Sequence, residues 1–167
     1  MGSSVVKNQF GAGSVVISDG TGGTALTTTV DFDNGDFSIS GLKAEMKDTA
    51  VYQSRGVVHS VRHGARNFAT FSFTGMMSEF SDSSGGSAID MITGKAGTPF
   101  AARVSTLGAS ADVMTFSIVF TAEGTDHGDS ADHTITMNDC ELAFDFSEGD
   151  PDSFSFSGTI YGTHVLA

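Results

Sequence analysis

The strongest constraint on the fold is an alternation of apolar and polar side chains that recurs along the chain. Residues 67–75, 112–121 and 153–161 each place apolar side chains, mostly phenylalanine, at alternate positions with serine or threonine between them. Because successive side chains of a β-strand point to opposite faces, this pattern predicts strands with one buried face. The composition agrees, since 14 phenylalanines and no tryptophan make Phe the main candidate for the core.

The clearest turn signal lies between two further alternating segments. Asn34-Gly35 supplies the positive φ angles of a two-residue type I′ turn, which predicts a β-hairpin. The register of that turn pairs Phe32 with Phe37 on the apolar face. The polar face then carries three carboxylates, those of Asp31, Asp33 and Asp36.

One short helix interrupts the predicted strands. Ser87 can cap the amino end of a helix over residues 87–93, Asp90 can complete a capping box, and Gly94 can end it. Further along, the apolar phase of residues 133–146 changes near Asn138, which predicts a bulge or a strand that bends between two sheets.

About seven or eight strands with one helix predict an all-β fold, either a β-sandwich or a partly open barrel. The chain shows no repeat and no linker, so we expect a single domain over residues 1–167, with residues 1–12 as an N-terminal arm. Residues 43–66 are expected to form an extended segment, a strand over 50–62 and a turn over 63–66.

Negative charge is concentrated late in the chain. The net charge is −12, no lysine or arginine follows Arg103, and the last 64 residues carry 11 of the 20 acidic groups. Several of these acids fall on the polar face of a predicted strand: Asp139, Glu141 and Asp145. An acidic sheet repels nucleic acid, which excludes an ordinary DNA-binding protein but fits a surface past which DNA must slide.

Residues 43–66 carry the opposite charge. Five of the eight basic residues lie there: Lys43, Lys47, Arg55, Arg62 and Arg66. In a monomer the basic and acidic regions are separate solvated faces. In a homo-oligomer the basic segment of one copy contacts acidic groups of the next, and such heterologous contacts generate rings or stacks. The residues leave both interpretations open.

The sequence contains no convincing catalytic or metal-binding motif. Residues 31–36 lack the ligand and glycine spacing of a calcium loop, and His127 and His133 match no standard metal site. Cys140 lies on the apolar face of a strand, which predicts a core residue. We expect no enzymatic activity and no cofactor. No membrane-length apolar run and no signal pattern occur, so we expect synthesis in the cytoplasm and no membrane partner.

In the order of its elements the chain resembles the tail tube proteins of long-tailed bacteriophages, over about residues 13–162. The resemblance rests on the hairpin that leads into residues 35–42 and on the basic extension with Tyr52-Gln-Ser-Arg-Gly56. It also rests on a Phe-rich strand over 68–73 before the Ala88–Ile92 helix, and on two C-terminal strands, Cys140–Phe146 and Phe154–Gly162.

This resemblance implies two roughly orthogonal β-sheets flanked by a helix, hexameric rings with joined inner sheets, and rings stacked into a tube. It implies a location in the virion tail and a lumen occupied first by the tape measure protein and later by DNA. The tail terminator and distal tail proteins are the further partners it implies.

Two residue sets follow from the resemblance. The lumen candidates are Asp31, Asp33, Asp36, Asp139, Glu141 and Asp145. The candidates for contacts to a neighbouring subunit or ring are Lys43, Lys47, Tyr52, Arg55, Arg62 and Arg66. Two other virion or tube classes remain open, a capsid decoration protein and a secretion-system tube subunit. A carbohydrate-binding sandwich is disfavoured, because only two tyrosines and no tryptophan can stack on sugar rings.

Overall fold

The computed structural model describes residues 14–30, 37–76, 81, 84, 86–122, 131–149 and 153–167. Several predictions fall outside these residues: the arm over 1–12, the Asn34-Gly35 turn, His127, and the lumen candidates Asp31, Asp33 and Asp36. Within the described ranges the elements are β1 (Ser14–Ser18), β2 (Thr27–Val30), β3 (Ser38–Ser40), β4 (Lys47–Ser54), β5 (Val57–Arg66), β6 (Ala69–Met76), α1 (Ala88–Thr93), a 3-10 turn (Pro99–Ala102), β7 (Phe116–Ala122), β8 (His133–Ser147), β9 (Ser153–Ile160) and β10 (His164–Leu166).

Eight of these strands form one antiparallel sheet in the order β2-β1-β7-β8-β9-β6-β3, with β10 paired to β8. The predicted hairpin is wrong for the described strands on either side of Asn34-Gly35, because β2 pairs with β1 and β3 pairs with β6. The remaining two, β4 and β5, pair only with each other. The predicted fold class, all-β with one short helix, is confirmed, and the sheets are not closed into a barrel.

The long strand β8 joins two halves of the large sheet. Its first part pairs with β7 and β10, and its second part, from Cys140 onward, pairs with β9. Between them Asp139 adopts a positive φ of 53°. This interruption confirms the phase change predicted near Asn138. It turns Met137 and Cys140, both fully buried, toward the same core.

Phenylalanine rings connect the two halves across the core. Phe37, just before β3, stacks on Phe120 of β7 with ring centroids 4.3 Å apart, and lies 5.8 Å from Phe73 of β6. Phe73 in turn stacks on Phe156 of β9 at 4.8 Å. The apolar faces predicted for β6 and β9 are therefore the buried ones, and the opposite faces of these strands point outward.

The helix forms as its caps predict. The Ser87 hydroxyl accepts a hydrogen bond from the Asp90 amide at 3.2 Å, and the Asp90 carboxylate accepts one from the Ser87 amide at 3.1 Å. Gly94 ends the helix in the left-handed region with φ 61°. Two turns of helix cannot hold themselves together in water, so these caps and the burial of Met91 against the sheet fix it.

The structure corrects the prediction for residues 43–66. One strand over 50–62 with a turn over 63–66 was expected, whereas two strands, β4 and β5, are joined at Arg55-Gly56. Arg55 and Gly56 have φ angles of 50° and 80°, the pattern of a type I′ turn. Gly64 lies inside β5, where its backbone passes beside Asp48.

Candidate functional site

The most unusual feature of the structure is the hairpin formed by β4 and β5, residues 47–66, called the ribbon below. Neither strand pairs with the large sheet. Nearly every ribbon residue is exposed, and the exposed set includes large apolar side chains: Val51, Tyr52, Val57, Val58 and Val61. A two-stranded ribbon is marginally stable alone in water, and this one presents apolar side chains to solvent.

Cross-strand register sorts the ribbon side chains into two faces. Val51 lies opposite Val61, and Gln53 lies opposite Val58, which places three valines on one face. Tyr52 lies opposite Ser60, Ala50 opposite Arg62, and Ser54 opposite Val57, all on the other face. We call these the valine face and the tyrosine face. A bulge between Tyr52 and Gln53 increases the local twist but keeps both faces continuous.

The root of the ribbon is fixed to the body. The Arg66 guanidinium donates to the carbonyl oxygen of Tyr161 and lies 5.1 Å from the centre of the Phe68 ring. The Phe68 ring meets the Tyr161 ring edge-on at 5.1 Å. Asn67 donates a hydrogen bond to the Asp48 carboxylate at 3.2 Å, and the side chain of Met46, just before β4, is buried. The ribbon therefore leaves the body from an ordered base.

The six predicted contact residues divide between the root and the outer part of the ribbon. Lys43 pairs with Asp48 at 3.6 Å and Lys47 with Glu45 at 3.5 Å, while Arg66 belongs to the root. Tyr52, Arg55 and Arg62 are exposed along the ribbon. The ribbon holds four cations and one anion, a net charge of +3, so the rest of the chain carries −15.

A second surface lies on the outward side of β3, β6, β8 and β9. Their registers align Ser40, Thr70, Thr159 and Glu141 in one row across the four strands, and Ser38, Ser72, Ser157 and Ala143 in the next. A third row holds Thr74, Ser155 and Asp145. We call this surface the hydroxyl face. These four strands contain no lysine or arginine, and the centre of the face is a shallow depression.

The lumen candidates that the structure describes do not share one environment. Glu141 and Asp145 are exposed on the hydroxyl face. Glu141 accepts a hydrogen bond from the Tyr161 hydroxyl, and this bond, with the charge of the carboxylate, raises the pKa of Tyr161. Asp139 lies instead at the bend of β8, half-buried, and accepts a hydrogen bond from the Thr106 hydroxyl at 2.8 Å.

Two sheet edges border the hydroxyl face. β3 is the last strand at one end of the large sheet. One edge of β8 pairs with β9, and beyond Cys140 the other edge, which faces β7 earlier in the strand, pairs with no strand of the described chain. Such edges present unpaired amide and carbonyl groups that another strand can join. Sequence reasoning placed Glu141 and Asp145 on a polar strand face, but it missed that four strands share this face and that its edges are open, because both depend on strand order. The alternating Ser and Thr of 69–76 and 153–160 were the available signal.

Burial and the neighbouring Asp139 charge raise the pKa of the fully buried Cys140 thiol to about 12, so the thiol stays protonated at neutral pH. Among the described residues, no three His, Cys, Asp or Glu side chains lie together as a metal site would require. The same part of the chain contains no helix long and apolar enough to cross a membrane.

Neither a protein-family model nor a curated protein sequence matches this chain. Two solved structures of an extracellular contractile injection system contain similar chains. The sheath/tube terminator of the PVC system in its extended state matches with 14% identity over 92% of both chains and a TM-score of 0.51. The PVC sheath-tube complex in its extended state matches with 13% identity over 92% of this chain and 87% of the other, at a TM-score of 0.50. At these identities the likeness establishes a shared fold.

Proposed function

We propose that this protein is a structural subunit of a phage-tail-like tube, built from rings of identical copies that stack on one another. The observation that carries the proposal is that, in the described part of the chain, the ribbon pairs with no other strand and the large sheet has open edges. Both features leave a lone copy incomplete and are completed by further copies. The injection-system structures that share the fold support this proposal.

The hydroxyl face is the surface we assign to the lumen. Joining the β3 edge of one copy to the open β8 edge of the next would continue the same face around a ring, and we propose six copies per ring. Serine, threonine and alanine present small side chains without cations, so a polyanion passing over them finds no counter-charge to bind. Glu141 and Asp145 add repulsion.

The lumen candidates are revised accordingly. Glu141 and Asp145 keep this role in the proposal, and Asp31, Asp33 and Asp36 keep it as sequence-based candidates. Asp139 does not, because its carboxylate holds the bend of β8 through Thr106. In a phage tail the lumen would hold the tape measure protein and then DNA, the ends of the tube would meet terminator and distal tail proteins, and the protein would reside in the virion tail.

Electron microscopy of the purified protein tests the proposal. Concentrated protein should form rings or tubes in negative stain, with a mass per ring six times that of the 17.2 kDa subunit. Compact trimers without a central channel would favour a capsid decoration protein instead. Monomers at all concentrations would overturn the tube proposal.

A second candidate, a tube subunit of a contractile injection or secretion system, is favoured by the two structures that share the fold. It uses the same ring and differs in what passes through the lumen. Changing Glu141 to Gln and Asp145 to Asn removes the two carboxylates that the structure places on the hydroxyl face. A phage tube should then eject DNA more slowly, whereas transport of an uncharged protein cargo should be unchanged.

A further inference from the structure

We propose that the ribbon inserts between two other copies of the chain, with its valine face against one and its tyrosine face against the other. The inference rests on the proposed function, and it assigns a separate interface to each face. It begins from exposure on both sides: Val51, Val58 and Val61 are 50%, 54% and 59% exposed, and Tyr52 and Val57 on the opposite face are 56% and 70% exposed.

Covering one face would leave the other in water. In a surface ribbon that docks on a single partner, the outward face is expected to be polar, as on other half-buried β structure. Here each face carries large exposed apolar side chains, so burying them all requires a surface on both sides. Strand ribbons are thin, and two protein surfaces can pack against opposite faces of one ribbon about 10 Å from each side.

The two faces differ in chemistry and therefore in the surface each fits. The valine face is aliphatic at its centre, with Thr49 and His63 toward the root. The tyrosine face combines Tyr52 with Arg62, two residue types that dominate the binding energy of protein interfaces. The first fits an apolar surface, and the second fits a surface that offers carboxylates.

Other copies of the same chain offer carboxylates, which is the surface that the tyrosine face fits. The ribbon has a net charge of +3 and the remainder of the chain −15, so a neighbouring body attracts the ribbon electrostatically. Reach is sufficient, because the ten residues of β5 span about 33 Å at ~3.3 Å each, comparable to the diameter of a small domain. A heterologous contact between the ribbon of one copy and the body of the next can repeat through the whole assembly, so no other protein is needed to complete it.

Adjacent residues of the ribbon offer a matched pair of probes. Val57 lies opposite Ser54 on the tyrosine face, and Val58 lies opposite Gln53 on the valine face. Val57→Cys and Val58→Cys would each carry a benzophenone maleimide. Cys140, fully buried with a raised pKa, should remain unlabelled in the folded protein. Assembly with ¹⁵N-labelled wild type before irradiation identifies intermolecular products by mass spectrometry.

The expected result is that the two probes cross-link to two different, non-overlapping peptides of neighbouring copies. Products from both positions on the same peptides, or from only one position, would overturn the inference while leaving tubes formed by the wild type intact. If the wild type forms neither rings nor tubes, the proposed function itself fails, and the inference fails with it.

Paired substitutions give an independent readout. Val51→Thr with Val61→Thr removes the apolar centre of the valine face and keeps β-branched side chains. Tyr52→Thr with Arg62→Thr does the same to the tyrosine face. Each pair should reduce tube formation at least tenfold, whereas Gln53→Thr and Ser60→Thr, one on each face, should assemble normally. Wild-type assembly by either pair would contradict a two-sided ribbon.

Discussion

Asp19 shows how a single buried carboxylate organises a loop. The side chain is 4% exposed and accepts hydrogen bonds from the backbone amides of Leu26 at 2.8 Å and Val104 at 3.0 Å. Burial by itself would raise its pKa, but the hydrogen bonds from Thr21, Val104 and Leu26 together outweigh burial and hold the pKa below its ordinary value. The carboxylate thus ties the end of β1 to the segment after the 3-10 turn.

Changing Asp19 to Asn should lower the free energy of unfolding at pH 7 by about 1.5–3 kcal/mol, the contribution typical of hydrogen bonds to a charged group. A depressed pKa contributes stability above the unfolded pKa of about 3.9, and this contribution disappears as pH falls through the folded pKa. The difference between wild type and variant should therefore shrink below about pH 4 in urea titrations. A difference that stays constant from pH 7 to pH 3 would contradict this role.

Gly158 lies on the buried face of β9, in the same row as Phe71 and Leu142, because no side chain fits there. A Cβ at this position would lie 2.1 Å from the Glu141 carbonyl oxygen and 2.6 Å from the Phe71 ring. Gly158→Ala should destabilise the protein by about 1–3 kcal/mol, as overpacking does. Gly22→Ala is the control, since no described atom beyond its chain neighbours lies within 4 Å of its added Cβ. Equal melting temperatures for the two variants would show that β9 does not pack as described.

At the scale of elements, local signals predicted most of the body. Alternation predicted β6 and β9, the capping box of Ser87 and Asp90 predicted α1, and the phase change predicted the bend of β8. Each of these signals is contained within a few neighbouring residues. The buried faces of the predicted strands match the core because apolar side chains alternate in a strand only where one of its faces packs against the core.

The ribbon was predicted poorly for a physical reason. Its two strands bury neither face in the described fold, so no apolar alternation marks where each begins and ends. The only local mark of its turn was Arg55-Gly56, and arginine is an uncommon first residue of a type I′ turn. The open edges of β3 and β8 could not be predicted either, because strand neighbours are set by the whole topology.

The turn of the ribbon offers a test of its geometry. Asn adopts positive φ more readily than Arg, so Arg55→Asn should stabilise the turn by a few tenths of a kcal/mol or more. Amide exchange in β4 and β5 of the unassembled protein should slow, while exchange in β6 and β9 stays unchanged. Unaltered exchange throughout the ribbon would argue against a type I′ turn at Arg55-Gly56.

At the scale of the whole molecule, charge is divided between two parts. A ribbon of net charge +3 projects from a body of net charge −15. The sequence left open both separate solvated faces and mutual attraction between copies. In the proposed assembly, the ribbon, which leaves the body at an ordered root and joins no described strand of the large sheet, would contact the acidic body of a neighbouring copy.

Salt should therefore weaken assembly. Raising NaCl from about 50 mM to about 500 mM shortens the screening length from about 14 Å to about 4 Å and reduces the attraction between ribbon and body. Sedimentation should show a smaller assembled fraction at high salt, and Arg62→Gln should reduce both the assembled fraction and its salt dependence. Assembly that strengthens with salt would show that apolar contact alone holds the copies together.

The central claim is that copies of this chain form a ring whose inner wall is the hydroxyl face. Cryo-electron microscopy of the assembled protein tests it most directly. We expect stacked rings in which Ser72, Ala143 and Ser157 face a continuous central channel and the ribbon lies between neighbouring copies. A ring with the hydroxyl face on its outer surface, or an assembly without a channel, would contradict this arrangement.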